Sequence, residues 1–274
     1  MKPPFLRVVL GLGYCGSNYQ GWQSQPSQRT VQDALEHALS QFCACPSHAV
    51  RTVCAGRTDA GVHALLQVVH FDTSLERQPF SWVRGCNALL PKDIAILWAR
   101  VVPQTFHCRS CALSRRYVYV LRNAPVRPSV DTGRVGWVFR PLDADRMREA
   151  ASYLLGEHDF SSFRASACQA RSPVKRMLRI AIERQGNHVR CDFEADAFLH
   201  HMIRNIMGCL VAIGSGQRPP AWMLDVLQAR NRTIAAPTFA PDGLYFLGPR
   251  YDPAWGLPDD SSMLDGLPGC TPTP

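Results

Sequence analysis

Long apolar runs are missing from this 274-residue chain: no stretch of eighteen consecutive apolar residues occurs. The sequence therefore predicts no membrane-spanning helix. The N-terminus, Met1-Lys2-Pro3-Pro4-Phe5, has neither an apolar signal core nor a small-residue cleavage site, which points away from secretion. A second Cys-x-x-Cys pair is also missing. The single one is Cys108-Arg109-Ser110-Cys111, and Cys43-Ala44-Cys45 has the wrong spacing. A structural zinc site needs four ligands, usually two such pairs, so no metal is expected. The eleven cysteines are an odd, scattered set, read as buried thiols in a reducing cytosol. His200-His201 is a poor ligand pair on a helix, because adjacent helical residues point about 100° apart. Gly11-Leu12-Gly13 is followed by no immediate helix, which excludes a dinucleotide fingerprint. Lysine is nearly absent, at 3 of the 30 Lys and Arg residues.

Apolar residues make up 46% and charged residues 19%, the balance of a folded globular protein. Such a chain buries enough surface to offset its conformational entropy, so disorder is excluded as the dominant state. The formal net charge is +8, and 27 of the 30 cations are Arg. Genome base composition enriches Arg without functional meaning; phosphate recognition enriches it because the guanidinium is a planar fork of donors. Composition leaves both readings open, and placement decides between them. Residues 1–102 carry a net +3, residues 103–251 a net +9, and the remainder a net −4. The stretch 103–141 has seven Arg against Asp131 alone, and 164–184 has six Lys or Arg against Glu183 alone. Phe106, Tyr117, Tyr119, Trp137 and Phe139 interleave with the first cluster. Clustered Arg with aromatics suits backbone neutralisation and base stacking, and this placement favours a nucleic-acid partner over a merely solvated face.

Periodicity divides the chain into two similar halves. Leu6–Tyr14, 48–54, 65–72 and Ile94–Val102 read as strands. Thr30 caps a helix whose face is Val31, Ala34, Leu35, Ala38, Leu39 and Phe42, with Asp33 three residues on. Phe80–Leu90 reads as a second helix, giving the order β-α-β-β-α-β over 1–103. In 104–251 the strands are Arg115–Asn123, a hairpin of Lys175–Arg184 and Val189–Asp196, and Leu244–Leu247. The helices are one starting at Asp143, a long one over Phe198–Ile213 and an extra one over Trp222–Arg230. Two ferredoxin-like α+β halves with a largely antiparallel sheet and a cleft between them follow from this order. The acidic segment 252–274, rich in Pro, Gly, Ser and Asp, reads as a disordered tail.

The connection Ala55-Gly56-Arg57-Thr58-Asp59-Ala60-Gly61-Val62-His63-Ala64 is longer than an ordinary hairpin turn. Its two glycines allow tight backbone paths and close ligand approach. Spacing alone favours a turn capped by Asp59 and paired with Arg57.

This segment resembles the signature of the TruA-type tRNA pseudouridine synthases. Four more segments match in the same order: Tyr14-Cys15-Gly16-Ser17-Asn18-Tyr19-Gln20-Gly21-Trp22-Gln23, Arg115-Arg116-Tyr117-Val118-Tyr119, Phe198 to Gly208, and Ala240-Pro241-Asp242-Gly243-Leu244-Tyr245. The match spans about Leu6 to Tyr251. Cys15 is a departure, since the family usually has Asp there, and local loop contacts are what it affects.

The resemblance implies the pseudouridine synthase fold and isomerisation of uridine in the anticodon stem-loop of tRNA, at positions 38, 39 and 40. It implies no cofactor, a cytoplasmic homodimer and tRNA as partner. By resemblance Asp59 is the nucleophile, Arg57 flips and positions the base, Tyr117 stacks on the target uracil, and Arg204 pairs with the catalytic carboxylate. Leu244 supplies apolar packing, and tRNA contacts map to Phe106, His107, Cys108, Arg109 and Ser110 and to Ala167, Cys168, Gln169, Ala170 and Arg171. Flipping a base costs a few kcal/mol, of which stacking returns roughly 1–3 kcal/mol. Tyr119 lies on the same side of an alternating strand as Tyr117 and competes for that role. Arg204 falls about 100° off the apolar stripe of Leu199, Met202, Ile203, Ile206 and Leu210. Gly208, one turn on, either leaves room beside it or is a helix-packing glycine. A non-catalytic RNA-binding protein is the alternative, against which a carboxylate in a basic setting argues. A hydrolase using Asp59 and His63 is disfavoured, because no second carboxylate or oxyanion loop accompanies them.

Overall fold

The computed structural model describes residues 5–46, 49–258 and 267–268. The chain forms two compact units, Met1–Leu113 with Phe246–Met263, and Ser114–Tyr245 with Leu264–Pro274. It passes from the second unit back to the first within its last strand.

In the first unit β1 (Leu6–Tyr14) lies between β3 (His63–Thr73) and β4 (Ile94–Val102), antiparallel to both. Arg7 faces Asp72 across the β1–β3 ladder, and the two side chains make a bidentate ion pair with both bonds at 2.8 Å. Helix α1 (Val31–Phe42) begins where expected. The Thr30 hydroxyl accepts the Asp33 N–H, which satisfies one orphan donor of the first turn. Val31, Leu35, Ala38 and Leu39 of its predicted face are all buried. Helix α2 (Pro79–Asn87) starts on a proline, whose fixed φ suits a first turn.

Of the expected strand over 48–54, residue 48 lies outside the described residues, and the rest shrinks to β2 (Val53–Cys54), paired with β3. The buried carboxylate of Glu36 on α1 explains the difference. It accepts the Thr52 N–H at 2.8 Å, the Thr52 hydroxyl at 2.9 Å and the Gln32 amide at 2.9 Å. Thr52 is thus bound to the helix instead of to a sheet.

The second unit carries β5 (Ser114–Asn123), β9 (His188–Ala195), β8 (Val174–Gln185) and β7 (Gly156–Asp159) side by side in that order, all antiparallel. Two of its strands were not expected. β6 (Gly136–Val138) runs parallel to β5, and β7 is a polar Gly-Glu-His-Asp segment. Neither shows an apolar alternation that periodicity detects. The predicted hairpin turns at Gly186 and Asn187, with Gly186 at φ 56°, the left-handed region that two-residue hairpin turns require. Helix α3 (Ala144–Ser152) is capped by Asp143, whose carboxylate accepts the Asp145 and Arg146 N–H groups. Helix α4 (Met202–Gly214) starts four residues later than expected, because His201 takes a left-handed φ of 62°. Helix α5 (Trp222–Ala229) and β10 (Leu244–Arg250) complete the unit and the return. Among the described residues no helix is long and apolar enough to cross a membrane.

The expected tail begins later than residue 252. Pro253–Trp255 form a 3-10 turn capped by Asp252, whose carboxylate accepts the Ala254 N–H at 2.9 Å. Trp255 sets its ring 5.1 Å from that of Phe106, and Tyr251 and Leu257 join it against the cluster of Val9, Leu66, Val68, Trp98 and Phe106. These apolar groups outweigh the local polar composition. The expected disorder of 259–266 and 269–274 lies outside the described residues. Replacing this half-buried indole, Trp255→Ala, is expected to cost about 2 kcal/mol of unfolding free energy. Chemical denaturation checks it, and an unchanged midpoint would mean that the segment only rests on the surface.

Candidate active site

The signature loop leaves β2 and returns at β3 with alternating exposure. Arg57 is exposed, Thr58 buried and Asp59 half-buried. The residue between the cationic and anionic groups therefore anchors the loop. A strap over Gly16–Trp22 grips the loop from the same unit. Trp22 N–H donates to the Thr58 carbonyl at 3.0 Å, and Gly61 N–H to the Tyr19 carbonyl at 3.3 Å. Gly16 N–H donates to Nδ1 of the buried His63 at 3.1 Å. Within the loop, Val62 N–H closes a turn on the Asp59 carbonyl at 3.2 Å.

Two glycines make this approach possible. A Cβ on Gly16 would lie 2.0 Å from the Val62 carbonyl oxygen, a backbone atom that cannot swing aside. Gly21 has φ 91°, and a Cβ there would lie 2.7 Å from the Thr58 carbonyl oxygen. Side chains at either position would push the strap off the loop. The strap's other end is tied to Asp93, which accepts the Tyr19 hydroxyl at 2.6 Å, the Asn18 amide at 3.3 Å and, through its carbonyl, the Cys15 N–H at 2.9 Å. Sequence reasoning quoted the strap residues without assigning them a task and did not single out Asp93. The only signal was the spacing of Gly16 and Gly21.

The segment expected to touch tRNA in this unit divides by exposure. Phe106 and Cys108 are fully buried, His107 is half-buried, and Arg109 and Ser110 are exposed. The Phe106 and Cys108 side chains thus anchor the segment, and Arg109 and Ser110 are the ones it exposes. Arg7 donates to the Phe106 carbonyl at 2.8 Å, the Cys108 thiol to the Val53 carbonyl at 2.9 Å, and the Tyr251 hydroxyl to the Cys108 carbonyl at 2.6 Å. The Arg109 guanidinium reaches the Cys54 carbonyl at 3.3 Å, so the segment sits beside the strand that feeds the signature loop. Burial, with Arg7 and His107 adding to it, lowers the His70 pKa to about 4. Its neutral ring accepts the Cys108 N–H at Nδ1, 3.4 Å away.

In the second unit, β5 separates its two tyrosines by what surrounds them. The Tyr119 hydroxyl donates to the Ala240 carbonyl at 2.9 Å, and its ring fills the space that Gly136 and Gly243 leave. Burial, reinforced by Asp242, pushes its pKa far above the ordinary tyrosine value. Tyr119 is a packing residue. Tyr117 lies edge-on to Phe198, ring centroids 5.2 Å apart. Leu244, at the start of β10, is buried, and its N–H donates to the Pro241 carbonyl at 2.8 Å.

Arg204 sits in the first turn of α4. Its Nε donates to the Phe239 carbonyl at 2.9 Å, and the Phe239 N–H donates back to the Arg204 carbonyl at 3.1 Å. Gly208 leaves no vacancy beside the arginine, since a Cβ there would lie 2.2 Å from the Pro237 carbonyl oxygen. The segment 236–239 fills the room that the glycine opens. Asn205, fully buried, holds the same segment by accepting the Thr238 hydroxyl at 2.7 Å and an Arg232 N–H at 3.1 Å.

The other expected contact segment, Ala167–Arg171, folds beside the residues that precede α4. Ala165 N–H donates to the His200 carbonyl at 3.0 Å, and His200 N–H to the Cys168 sulfur at 3.4 Å. Arg164 braces the segment through the Cys168 and Ala170 carbonyls, at 2.7 and 2.9 Å. Ala167, Gln169 and Arg171 are exposed, while Cys168 and Ala170 are half-buried. Burial alone would raise the Cys168 pKa, but N–H groups from Ala170 and His200 and the Arg164 guanidinium outweigh it and lower the pKa. The helical argument against His200-His201 does not apply, because both precede α4 and their rings lie 4.0 Å apart.

A family model described as tRNA pseudouridine synthase matches residues 13–109 and 150–252. Curated relatives agree along nearly the whole chain. "tRNA pseudouridine synthase A" of Albidiferax ferrireducens is 65% identical over 263 residues, covering 96% of this chain and 100% of that protein. The proteins of the same name from Paracidovorax citrulli and Variovorax paradoxus are 62% and 63% identical, covering 96% and 95% of this chain and 100% and 97% of theirs. The signature loop and the arginine helix fall within the matched stretches and the tyrosine strand lies between them; with relatives above 60% identity along nearly the whole chain, the chain belongs to the tRNA pseudouridine synthase family.

Proposed function

We infer that the chain isomerises uridine to pseudouridine in tRNA, and propose that its targets are positions 38, 39 and 40 of the anticodon stem-loop. The reaction detaches uracil from C1′, turns it and rejoins it through C5, with no net change of oxidation state. The observation that carries the reading is Asp59, a half-buried carboxylate on a loop whose main chain is hydrogen bonded to a strap on either side of it. Asp59 offers its carboxylate as the attacking group. It is a weak nucleophile, so alignment supplies much of the rate. A gripped main chain provides that alignment.

Asp59 is proposed as the nucleophile and Arg57 as the group that displaces and positions the target base. Arg204 is proposed as the second arginine of the reaction, Tyr117 as the stacking platform and Leu244 as apolar packing. Arg109, Ser110, Gln169 and Arg171 are the exposed polar members of the two contact segments and suit docking of the tRNA backbone. The family resemblance also carries a homodimer and a cytoplasmic setting. All ten described cysteines are free thiols, as suits a reducing compartment.

Asp59→Asn is expected to abolish pseudouridine formation, read by nucleoside analysis of the tRNA. Its tRNA affinity is expected to stay within a few-fold of wild type and to fall steeply with salt, as Arg–phosphate contacts demand. Appreciable turnover by the pure variant would remove Asp59 from the nucleophile role, and a flat salt titration would remove the Arg clusters from the docking surface.

A further inference from the structure

Thr58, the buried residue between Arg57 and Asp59, is held at two atoms. Its carbonyl takes the Trp22 N–H, and its hydroxyl shares a hydrogen bond of 2.8 Å with the hydroxyl of Tyr14. Two residues upstream, the Gly56 carbonyl accepts the side-chain amide of Gln67 at 2.6 Å. Tyr14 is 5% exposed and Gln67 is 0% exposed, so neither presents a surface to tRNA. The Tyr14 ring leaves β1 where the ladder to β3 slips register between Leu12 and Tyr14. A bulge of this kind re-aims a side chain. Burying a phenol and an amide costs free energy unless they are hydrogen bonded, and Phe or Leu fills such space without that demand. Here the phenol oxygen of Tyr14 and the amide nitrogen of Gln67 are bonded to the four-residue stretch that carries Arg57 and Asp59, while the Gln67 Oε1 has no hydrogen-bond partner among the described residues.

We propose that Tyr14 is a positioning residue for the isomerisation: through the Thr58 hydroxyl it sets the angle at which Arg57 and Asp59 leave the loop. The proposal rests on Asp59 being the nucleophile. A small displacement of a reacting group is costly to rate even when binding is untouched. Tyr14→Phe keeps the ring and its packing and removes only the hydroxyl.

The test measures kcat and KM for tRNA with Tyr14→Phe, Thr58→Val, the double variant, Thr58→Ser and Asp59→Asn, together with melting temperatures. Tyr14→Phe and Thr58→Val each lower kcat by about tenfold or more with KM within about twofold, and the double variant is no slower than the worse single. Thr58→Ser, which keeps the hydroxyl, recovers most of the kcat lost in Thr58→Val. Wild-type kcat in Tyr14→Phe beside an inert Asp59→Asn overturns this inference alone. Parallel loss of kcat, substrate affinity and melting temperature also overturns it, since that is the signature of a structural role only. Turnover by Asp59→Asn overturns the nucleophile reading and this inference with it.

Discussion

Main chain lies against main chain at the signature loop, and the proposed chemistry depends on that contact. Trp22 N–H meets the Thr58 carbonyl and Gly61 N–H meets the Tyr19 carbonyl, with Gly16 and Gly21 supplying the clearance. A loop held only by side chains would wander over several rotamers, and a carboxylate on it would meet its target infrequently. Backbone bonds on both sides of Asp59 remove that freedom before substrate arrives. The ordering cost is met during folding, by the sheet that holds β1 between β3 and β4 and by Asp93 at the strap's far end.

Arg204 is restrained in the same way. Helix α4 supplies its position, and the reciprocal pair with Phe239 supplies its direction. The backbone approach again needs a glycine, Gly208 against the Pro237 carbonyl. Glycines in the matched motifs thus serve close packing of main chain on main chain. That is a more demanding condition than a turn, because any Cβ meets an atom that cannot move aside.

Elements with local causes were legible in the sequence. The Thr30 and Asp143 caps, the Ile94–Val102 strand and the Gly186-Asn187 hairpin each follow from a few adjacent residues. Elements decided by distant partners were not. Residues 48–52 read as strand, but Glu36, far away in sequence, takes the Thr52 N–H. Residues 198–201 read as helix, but His201 turns left-handed. The polar tail from 252 read as disordered, but Trp255 and Leu257 find an apolar cluster. At the site, spacing alone favoured Asp59 as a turn cap, and only the resemblance of five ordered segments assigned it chemistry. Alternation put Tyr117 and Tyr119 on one face and left them equivalent. The Ala240 carbonyl and two glycines, which separate them, lie far from both in sequence.

The excess of arginine, 27 of 30 cations, suits the proposed reaction, in which a polyanion is held while one carboxylate does the chemistry. Isomerisation at C5 leaves a chemical trace that binding alone does not. The decisive measurement uses tRNA carrying tritium at C5 of the uridines in its anticodon stem-loop. The account predicts label released to water in proportion to enzyme and time, from positions 38, 39 and 40. Saturating binding with the label retained would contradict it and leave an RNA-binding protein in its place.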